Sequence, residues 1–291
     1  MTDRSDTGAA RPHPTDGMTP GFRTRWMRAV LLGLPGVLVL PLQWTRLPVE
    51  ALPPPLQEMA PVTRALLSML NPLLMLLLMA ALGAALAHRA GLRSVWLQRA
   101  GGADADPAAS ARLRTQLLYA ALAGLALAVL LYGADRVLLP RLGAPGAALL
   151  AQQVAAGEAA ALTALALGLL YGGLTEEVML RWGVMSLAVW LVAALLARWR
   201  RAPAHGGAVA SPAPLAAWTG IVAAALLFAA GHLPALALVT DLTPALLVRT
   251  LGLNLLAGML YGWLFWRHHL ESAIVAHAST HLGFAVLRLV V

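Results

Sequence analysis

The sequence has no cysteine, no lysine and little charge of either sign, and each shortage excludes a class of protein. Without cysteine, the 291-residue chain has no disulfide, no thiol nucleophile and no cysteine metal site. Charged residues make up 12% of the chain, about half the share in a soluble globular protein. Hydrophobic residues make up 59%, and the mean hydropathy is +0.73. This composition excludes a soluble domain and predicts a multi-pass membrane protein.

The net charge of +8 is carried entirely by arginine, and the arginines are spread over the segments between apolar runs. A nucleic-acid-binding surface requires a basic face with interleaved aromatic residues, so we expect no nucleic-acid partner. Arginines between spans instead set the orientation of a membrane protein, and membrane lipid is an expected partner. The lysine-free composition, rich in Ala, Leu and Arg, favours a bacterial inner membrane protein.

The apolar runs approach the length of about 20 residues that crosses a bilayer, and they divide the chain into three parts. Residues 1–25 are polar and rich in Pro, Gly and Thr, which is typical of a disordered tail. Residues 26–157 hold the first transmembrane helices, with a hairpin loop expected over Gly133–Gly157. Residues 158–291 hold the remaining helices and the polar motifs. The expected fold is an all-α transmembrane bundle of seven or eight helices.

The number of spans depends on the apolar stretch Glu158–Ala197. It is long enough for two spans broken near Arg181–Gly183, or for one long tilted helix. A single crossing places the basic segment Arg198–Arg201 on the cytoplasmic side with the 88–114 loop, as the positive-inside rule favours. The length of the stretch favours two crossings. We expect eight helices, of which one is interfacial.

Several ionisable residues lie at membrane depth, where a charge costs about 2.5–3.5 kcal/mol on insertion scales and usually faces a partner or a wet cavity. Glu177 and Arg181 are four residues apart, so they share a helix face and are expected to pair. Glu176 is rotated from them by about 100° and lacks that partner. An ion pair that only locks two helices together does not account for Glu176, which remains available for chemistry.

Three histidines lie on two other apolar segments. His277 and His281, four residues apart, project from one face of the last helix. His232 is followed by Pro234, which ends its helix. His232 and His277 approach the membrane from opposite sides, so they meet only if the helix of His232 stops short of the interface. Such irregular backbone is tolerated around a protein-lined or wet cavity, and we expect Glu176 and the three histidines to converge on one.

The order of three motifs resembles that of the CAAX protease and bacteriocin-processing family of intramembrane endopeptidases. "EEVMLR" fits Glu-Glu-x-x-x-Arg, "FAAGH" fits Phe-x-x-x-His, and "HASTH" fits the first position of His-x-x-x-Asn. The resemblance implies a glutamic peptidase without a required metal, in which Glu176 and His232 activate water. It also implies that His277 and the last motif residue, His281, form the oxyanion hole. The supporting residues by motif position are Glu177, Arg181 and Phe228.

The chain departs from the family pattern at His281, where the family has Asn. An imidazole N–H can donate to an oxyanion much as an amide does. Three histidines and a glutamate are, however, also enough for a zinc site with an open position, formed by His232, His277 and His281. The expected function is hydrolysis of a peptide bond in a membrane-associated protein or peptide, with no cofactor. A zinc-dependent intramembrane protease, a transporter and a non-enzymatic membrane protein are the alternatives.

Overall fold

The computed structural model describes residues 20–46, 49, 52, 54–99, 107–155, 157–199 and 211–290, and all regular secondary structure among them is helical. Eight helices exceed ten residues: α1 Phe22–Val39, α2 Pro61–Leu86, α3 Pro107–Leu138, α4 Gly143–Ala155, α5 Glu158–Trp199, α6 Pro214–Gly231, α7 Pro244–Arg267 and α8 Leu270–Val290. Shorter helical segments cover Leu40–Arg46, Pro54–Gln57, Leu139–Arg141 and Leu233–Ala237. Most of the predicted tail, residues 1–19, lies outside the described residues. The first helix begins four residues before the expected boundary.

Seven of these helices are long and apolar enough to cross a membrane, which confirms the polytopic all-α bundle. The 42-residue helix α5 runs without interruption through Arg181–Gly183. The stretch Glu158–Ala197 therefore belongs to one span, although its length had favoured two. The described residues contain seven candidate spans in total. The hairpin loop expected over Gly133–Gly157 is wrong for most of its length, because α3 continues to Leu138 and α4 covers Gly143–Ala155. Its Ala- and Leu-rich sequence favours a helix, and Gly143, at φ +76°, permits the turn before it.

A single crossing by α5 also satisfies the arginine bias. The start of α1 contacts the 88–99 segment through Arg28, whose Nη1 donates to the carbonyl oxygens of Trp96 and Arg99. The start of α8 contacts the same segment, because the Leu270 amide donates to the Arg93 carbonyl at 3.0 Å. Alternation along the seven spans places Arg198 on this side as well. The arginine-rich segments of the described chain thus share one side of the bundle.

The centre of the bundle is a π-helical segment of α5, Gly168–Met185, against which α1, α2, α6 and α8 pack. A π-helix forms i→i+5 hydrogen bonds and is rare outside functional sites. Close packing surrounds the widened turns. Gly36 of α1 lies against Thr175 and the backbone of Leu170, where any Cβ would collide. The Thr175 hydroxyl donates to the Gly33 carbonyl at 2.6 Å, which ties the two helices together.

Two of the helices that contact the π-helical segment pack in turn against an outer helix: α8 against α3, and α6 against α7. In the first pair, Gly124 lies against the Ala276 carbonyl and Gly283 against Ala128. Small residues at such crossings let helices approach closely in a membrane. Helix α6 ends at Gly231 and a five-residue helix, Leu233–Ala237, follows. The backbone therefore breaks at His232, where the sequence predicts the end of a helix.

Candidate functional site

The buried ion pair of the site lies within the π-helical segment. Nη1 of Arg181 is 3.0 Å from Oε1 of Glu177, and both side chains are completely buried. Arg181 Nη2 donates to the Gly258 carbonyl at 3.2 Å. The guanidinium carbon lies 4.9 Å from the ring centre of Phe228 and 5.2 Å from that of Tyr261. The predicted pairing of Glu177 with Arg181 is confirmed, and α6 and α7 enclose it.

Glu177 also contacts α8, which the spacing along the sequence does not predict. Its Oε1 lies 2.8 Å from Nδ1 of His277, which is itself buried. Because an ionised carboxylate only accepts hydrogen bonds, we assign the proton of this contact to Nδ1. The opposite ring nitrogen, Nε2, lies 4.0 Å from Oε2 of Glu176. The two adjacent glutamates therefore contact the two nitrogens of one imidazole.

His281 extends the same cluster along α8. Its Nε2 lies 3.3 Å from Nε2 of His277, and the two rings stack with centroids 5.1 Å apart. Tyr261 stacks against His277 with its centroid at 4.4 Å. Two nitrogens 3.3 Å apart can both reach a single oxygen at an ordinary hydrogen-bond length of about 2.9 Å. The pair therefore has the spacing of a two-donor site for one carbonyl oxygen.

His232 reaches the cluster from α6. Its ring lies 4.7 Å from the Phe228 ring, centre to centre, and the His277 ring lies 5.5 Å from the same phenyl group. The two imidazoles are therefore no further apart than the sum of these distances, about 10 Å. Nδ1 of His232 donates to the Phe228 carbonyl at 2.8 Å, since a carbonyl only accepts. In the neutral ring, Nε2 is then an acceptor.

Three further residues shape the cluster, and sequence reasoning did not select them. A Cβ on Gly172 would lie 2.9 Å from Nε2 of His281 and 3.1 Å from Nε2 of His277, and one on Gly168 would collide with the His281 ring. The Gly-x-x-x-Gly spacing was a usable signal, because it marks close helix packing in membranes. Tyr261 gave no signal, since tyrosine in an apolar span is ordinary.

A small crevice leads to the cluster between α5 and α8. It encloses about 50 Å³ and is lined by His281, Phe284 and Arg288 from α8 and by the first turns of α5. A water molecule requires roughly 10–15 Å³ of such space, so the crevice has room for water beside His281. Among the described residues, no three His, Asp or Glu side chains form a group that could hold a metal ion.

Comparison with known proteins gives one match, and it covers the part of the chain that holds the cluster. Residues 158–283 match the sequence model of one family, described as type II CAAX prenyl endopeptidase Rce1-like. No curated protein and no solved structure matches the chain. The matched range begins at the first residue of α5 and contains Glu176, His232, His277 and His281. Residues 158–283 thus match the Rce1-like domain of the CAAX protease family, in a chain whose described residues include seven helices long and apolar enough to cross a membrane.

Proposed function

We propose that the protein hydrolyses peptide bonds of membrane-associated proteins or peptides by glutamate catalysis, with no metal required. Membership of residues 158–283 in a CAAX-type protease family supports the reaction class. The observation that carries the mechanism is the approach of Glu176 Oε2 to His277 Nε2, at 4.0 Å, beside the paired Nε2 atoms of His277 and His281. A carboxylate base and two potential oxyanion donors thus lie within reach of one carbonyl group.

In this proposal, Glu176 and His232 activate the attacking water. Glu176 keeps some exposure, with 17% of its side chain accessible, whereas Glu177 is completely buried. The carboxylate of Glu176 takes one proton of the water as the oxygen attacks the carbonyl carbon. His232 orients the water by accepting its other hydrogen at Nε2, because Nδ1 already donates to the Phe228 carbonyl. The bond to Phe228 is the supporting role that we assign to that residue.

His277 and His281 stabilise the negative oxygen of the tetrahedral intermediate by donating from their Nε2 atoms. His277 already donates from Nδ1 to Glu177, so donation from Nε2 as well requires the imidazolium form. In this proposal the carboxylate of Glu177, 2.8 Å from Nδ1, offsets the cost of burying that form, and Glu176 is ionised while His277 carries the proton. The form that donates to the oxyanion is therefore also the form in which the base is ready.

Collapse of the intermediate completes the reaction. The proton taken by Glu176 passes to the leaving nitrogen as the C–N bond breaks, and Glu176 returns to the carboxylate. The products are a carboxylic acid and an amine, which become a carboxylate and an ammonium group when the acid proton passes to the amine, and the site has neither gained nor lost a proton. Arg181 provides the counter-charge of Glu177 at 3.0 Å. We place this activity in a bacterial cell membrane, as the composition favours.

A single methyl group tests whether the two Nε2 atoms must converge on one oxygen. In Gly172→Ala the new Cβ lies within about 3 Å of both atoms, which is the position proposed for the oxyanion. We expect a 10²–10³-fold loss, the usual effect of removing one oxyanion donor. Cleavage is measured in proteoliposomes with a library of internally quenched, lipid-anchored peptides.

The matched control is Gly252→Ala, since a Cβ on Gly252 meets nothing within 4 Å. This variant should cleave at the wild-type rate. Full activity in Gly172→Ala, with wild-type melting, would contradict the proposed oxyanion position. The proposed reaction would be contradicted if the wild-type protein cleaves no peptide of the library and Glu176→Gln retains no more bound peptide than the wild type does.

A further inference from the structure

A second polar feature lies at the opposite end of α8 from the crevice, outside the proposed catalytic cluster. A pocket of about 730 Å³ opens where the 88–99 segment, the first turns of α3 and the α7–α8 connection meet. Its volume is that of a site for a small molecule. The basic residues that line it are Arg93, Arg99, Arg112, Arg267, His268 and His269.

The positive charge of this pocket has no matching carboxylate among the described residues. No described Asp or Glu lines it, and none pairs with its four arginines. The nearby Glu271 is already engaged: it accepts from the Ser94 hydroxyl at 2.6 Å and from the Trp96 amide at 2.8 Å, and it contacts His269 at 3.1 Å. Four guanidinium groups gathered in one pocket repel each other, so an anion bound among them is stabilised.

A second observation also indicates a ligand. His268 lines the pocket, and its Nδ1, which is itself closed to solvent, has no hydrogen-bond partner in the described protein. Burial, together with neighbouring His269 and Arg267, lowers the pKa of His268. His268 is therefore neutral at pH 7 and keeps both a donor and an acceptor nitrogen. A neutral imidazole that lines the pocket can donate one N–H to a phosphate oxygen.

The level of the pocket relative to the membrane identifies the source of the anion. The pocket lies beside the start of α3, the end of α7 and the connection from α7 to α8, and all three helices are candidate spans. Partly exposed tryptophans Trp96 and Trp263 lie at the same level, and the Arg267 guanidinium is 5.5 Å from the Trp266 ring. Tryptophan marks the membrane interface, which is where phospholipid headgroups lie.

We propose that this pocket binds the phosphate group of an anionic phospholipid, held by Arg93, Arg99, Arg112 and Arg267. Guanidinium groups bind phosphate oxygens bidentately, and basic pockets between transmembrane helices bind anionic headgroups. A zwitterionic lipid is a weaker ligand, because its ammonium group competes with the arginines for the phosphate. The bound lipid connects the 88–99 segment to the start of α8. This site is independent of the proposed catalytic mechanism.

Binding is measured with the purified full-length chain in detergent. The probes are dioctanoyl phosphatidylglycerol, dioctanoyl phosphatidylcholine and inorganic phosphate, and the readouts are the melting temperature and native mass spectrometry. Phosphatidylglycerol should raise the melting temperature, and phosphatidylcholine should do so much less. Each arginine near an anionic headgroup contributes about a fivefold affinity, so Arg93→Gln combined with Arg112→Gln should weaken binding about 30-fold.

Arg114→Gln is the matched control. Arg114 lies on the same helix two residues from Arg112 and is exposed, but it does not line the pocket. It should change the affinity less than about twofold, an ordinary surface charge effect. Equal losses in Arg112→Gln and Arg114→Gln, or equal binding of the two lipids, would overturn the pocket assignment. If inorganic phosphate binds as tightly as phosphatidylglycerol, the ligand of the pocket is a soluble anion and the lipid proposal is overturned.

Discussion

Two carboxylate–arginine pairs among the described spans differ in how fully their polar atoms are bonded. Asp135 of α3 and Arg249 of α7 form a bidentate pair: Nε donates to Oδ1 at 2.8 Å, and Nη2 bonds Oδ2. In the pair Glu177–Arg181, Nη1 lies 3.0 Å from Oε1, but no group of the described residues bonds Oε2 of Glu177 or Nε of Arg181. The first pair keeps 16–19% side-chain exposure, whereas the second has none. The better-bonded pair is thus the one that water also reaches.

This difference separates a pair that connects helices from a pair that supports chemistry. Burying a charge with unsatisfied atoms is costly, so stability alone does not account for Glu177–Arg181. What distinguishes this pair is its third member, His277, held by Glu177 at 2.8 Å. The Asp135–Arg249 pair has no such neighbour among the titratable groups of the described chain. Replacing the carboxylate of each pair, and that of the neighbouring Glu176, tests this distinction.

The largest effect is expected for Glu176→Gln, which removes the proposed base and preserves its shape. Loss of a general base costs about 10²–10⁴ in rate. Stability should be unchanged, because the only ionic contact of Glu176 in the described structure is His277 at 4.0 Å. Cleavage in proteoliposomes and melting in detergent are measured together. If Glu176→Gln stays active, Glu176 is not the general base.

Glu177→Gln should act mainly on stability. It leaves Arg181 buried without a counter-charge, at an expected loss of about 3–5 kcal/mol in the free energy of unfolding. Activity should also fall, because the imidazolium form of His277 loses its anionic partner. Melting temperature and expression yield measure the first effect. If this variant were stable but inactive while Glu176→Gln stayed active, the two glutamates would have the opposite roles.

His281 distinguishes glutamate catalysis from zinc catalysis. If His281 donates to the oxyanion, His281→Ala should cost about 10²–10³ in rate, whereas His281→Asn keeps an N–H donor and should remain largely active. Chelators should then have no effect. If His281 binds zinc instead, His281→Asn should lose metal and activity together. The zinc content of the wild-type protein and of His281→Asn, measured by elemental analysis, decides between the two outcomes.

Spacing along one helix predicted the local contacts of the site. Glu177–Arg181 and His277–His281 are each separated by four residues, and each pair is in contact. The first contact persists in a π-helix, because residues four apart still lie close to one face when the turn holds slightly more than four residues. The break at His232 was predictable in the same way, from Pro234.

The sequence predicted that Glu176 and the histidines converge, but the individual bonds between helices were not predictable, because they depend on packing that no single segment encodes. The bond between Glu177 and His277 joins residues 100 positions apart. The π-helical conformation of Gly168–Met185 keeps α5 continuous, and hydropathy alone could not choose between one span and two. Asp135–Arg249 joins α3 to α7 across 114 positions, and neither residue belongs to a motif.

The smallest effect is expected for Asp135→Asn, which removes the carboxylate of the Asp135–Arg249 pair as Glu177→Gln removes that of the Glu177–Arg181 pair. Both substitutions replace a carboxylate by an amide beside an arginine. Asp135 and Arg249 retain partial exposure, so water partly replaces the lost interaction, and we expect a loss nearer to the ~0.2–1 kcal/mol of an exposed pair than to the ~3–5 kcal/mol of a buried one. Activity should be unchanged, since neither residue contacts the catalytic cluster. A melting loss in Asp135→Asn as large as that in Glu177→Gln would show that burial and missing bonds do not distinguish the two pairs. The stability cost of Glu177→Gln would then reflect helix connection alone.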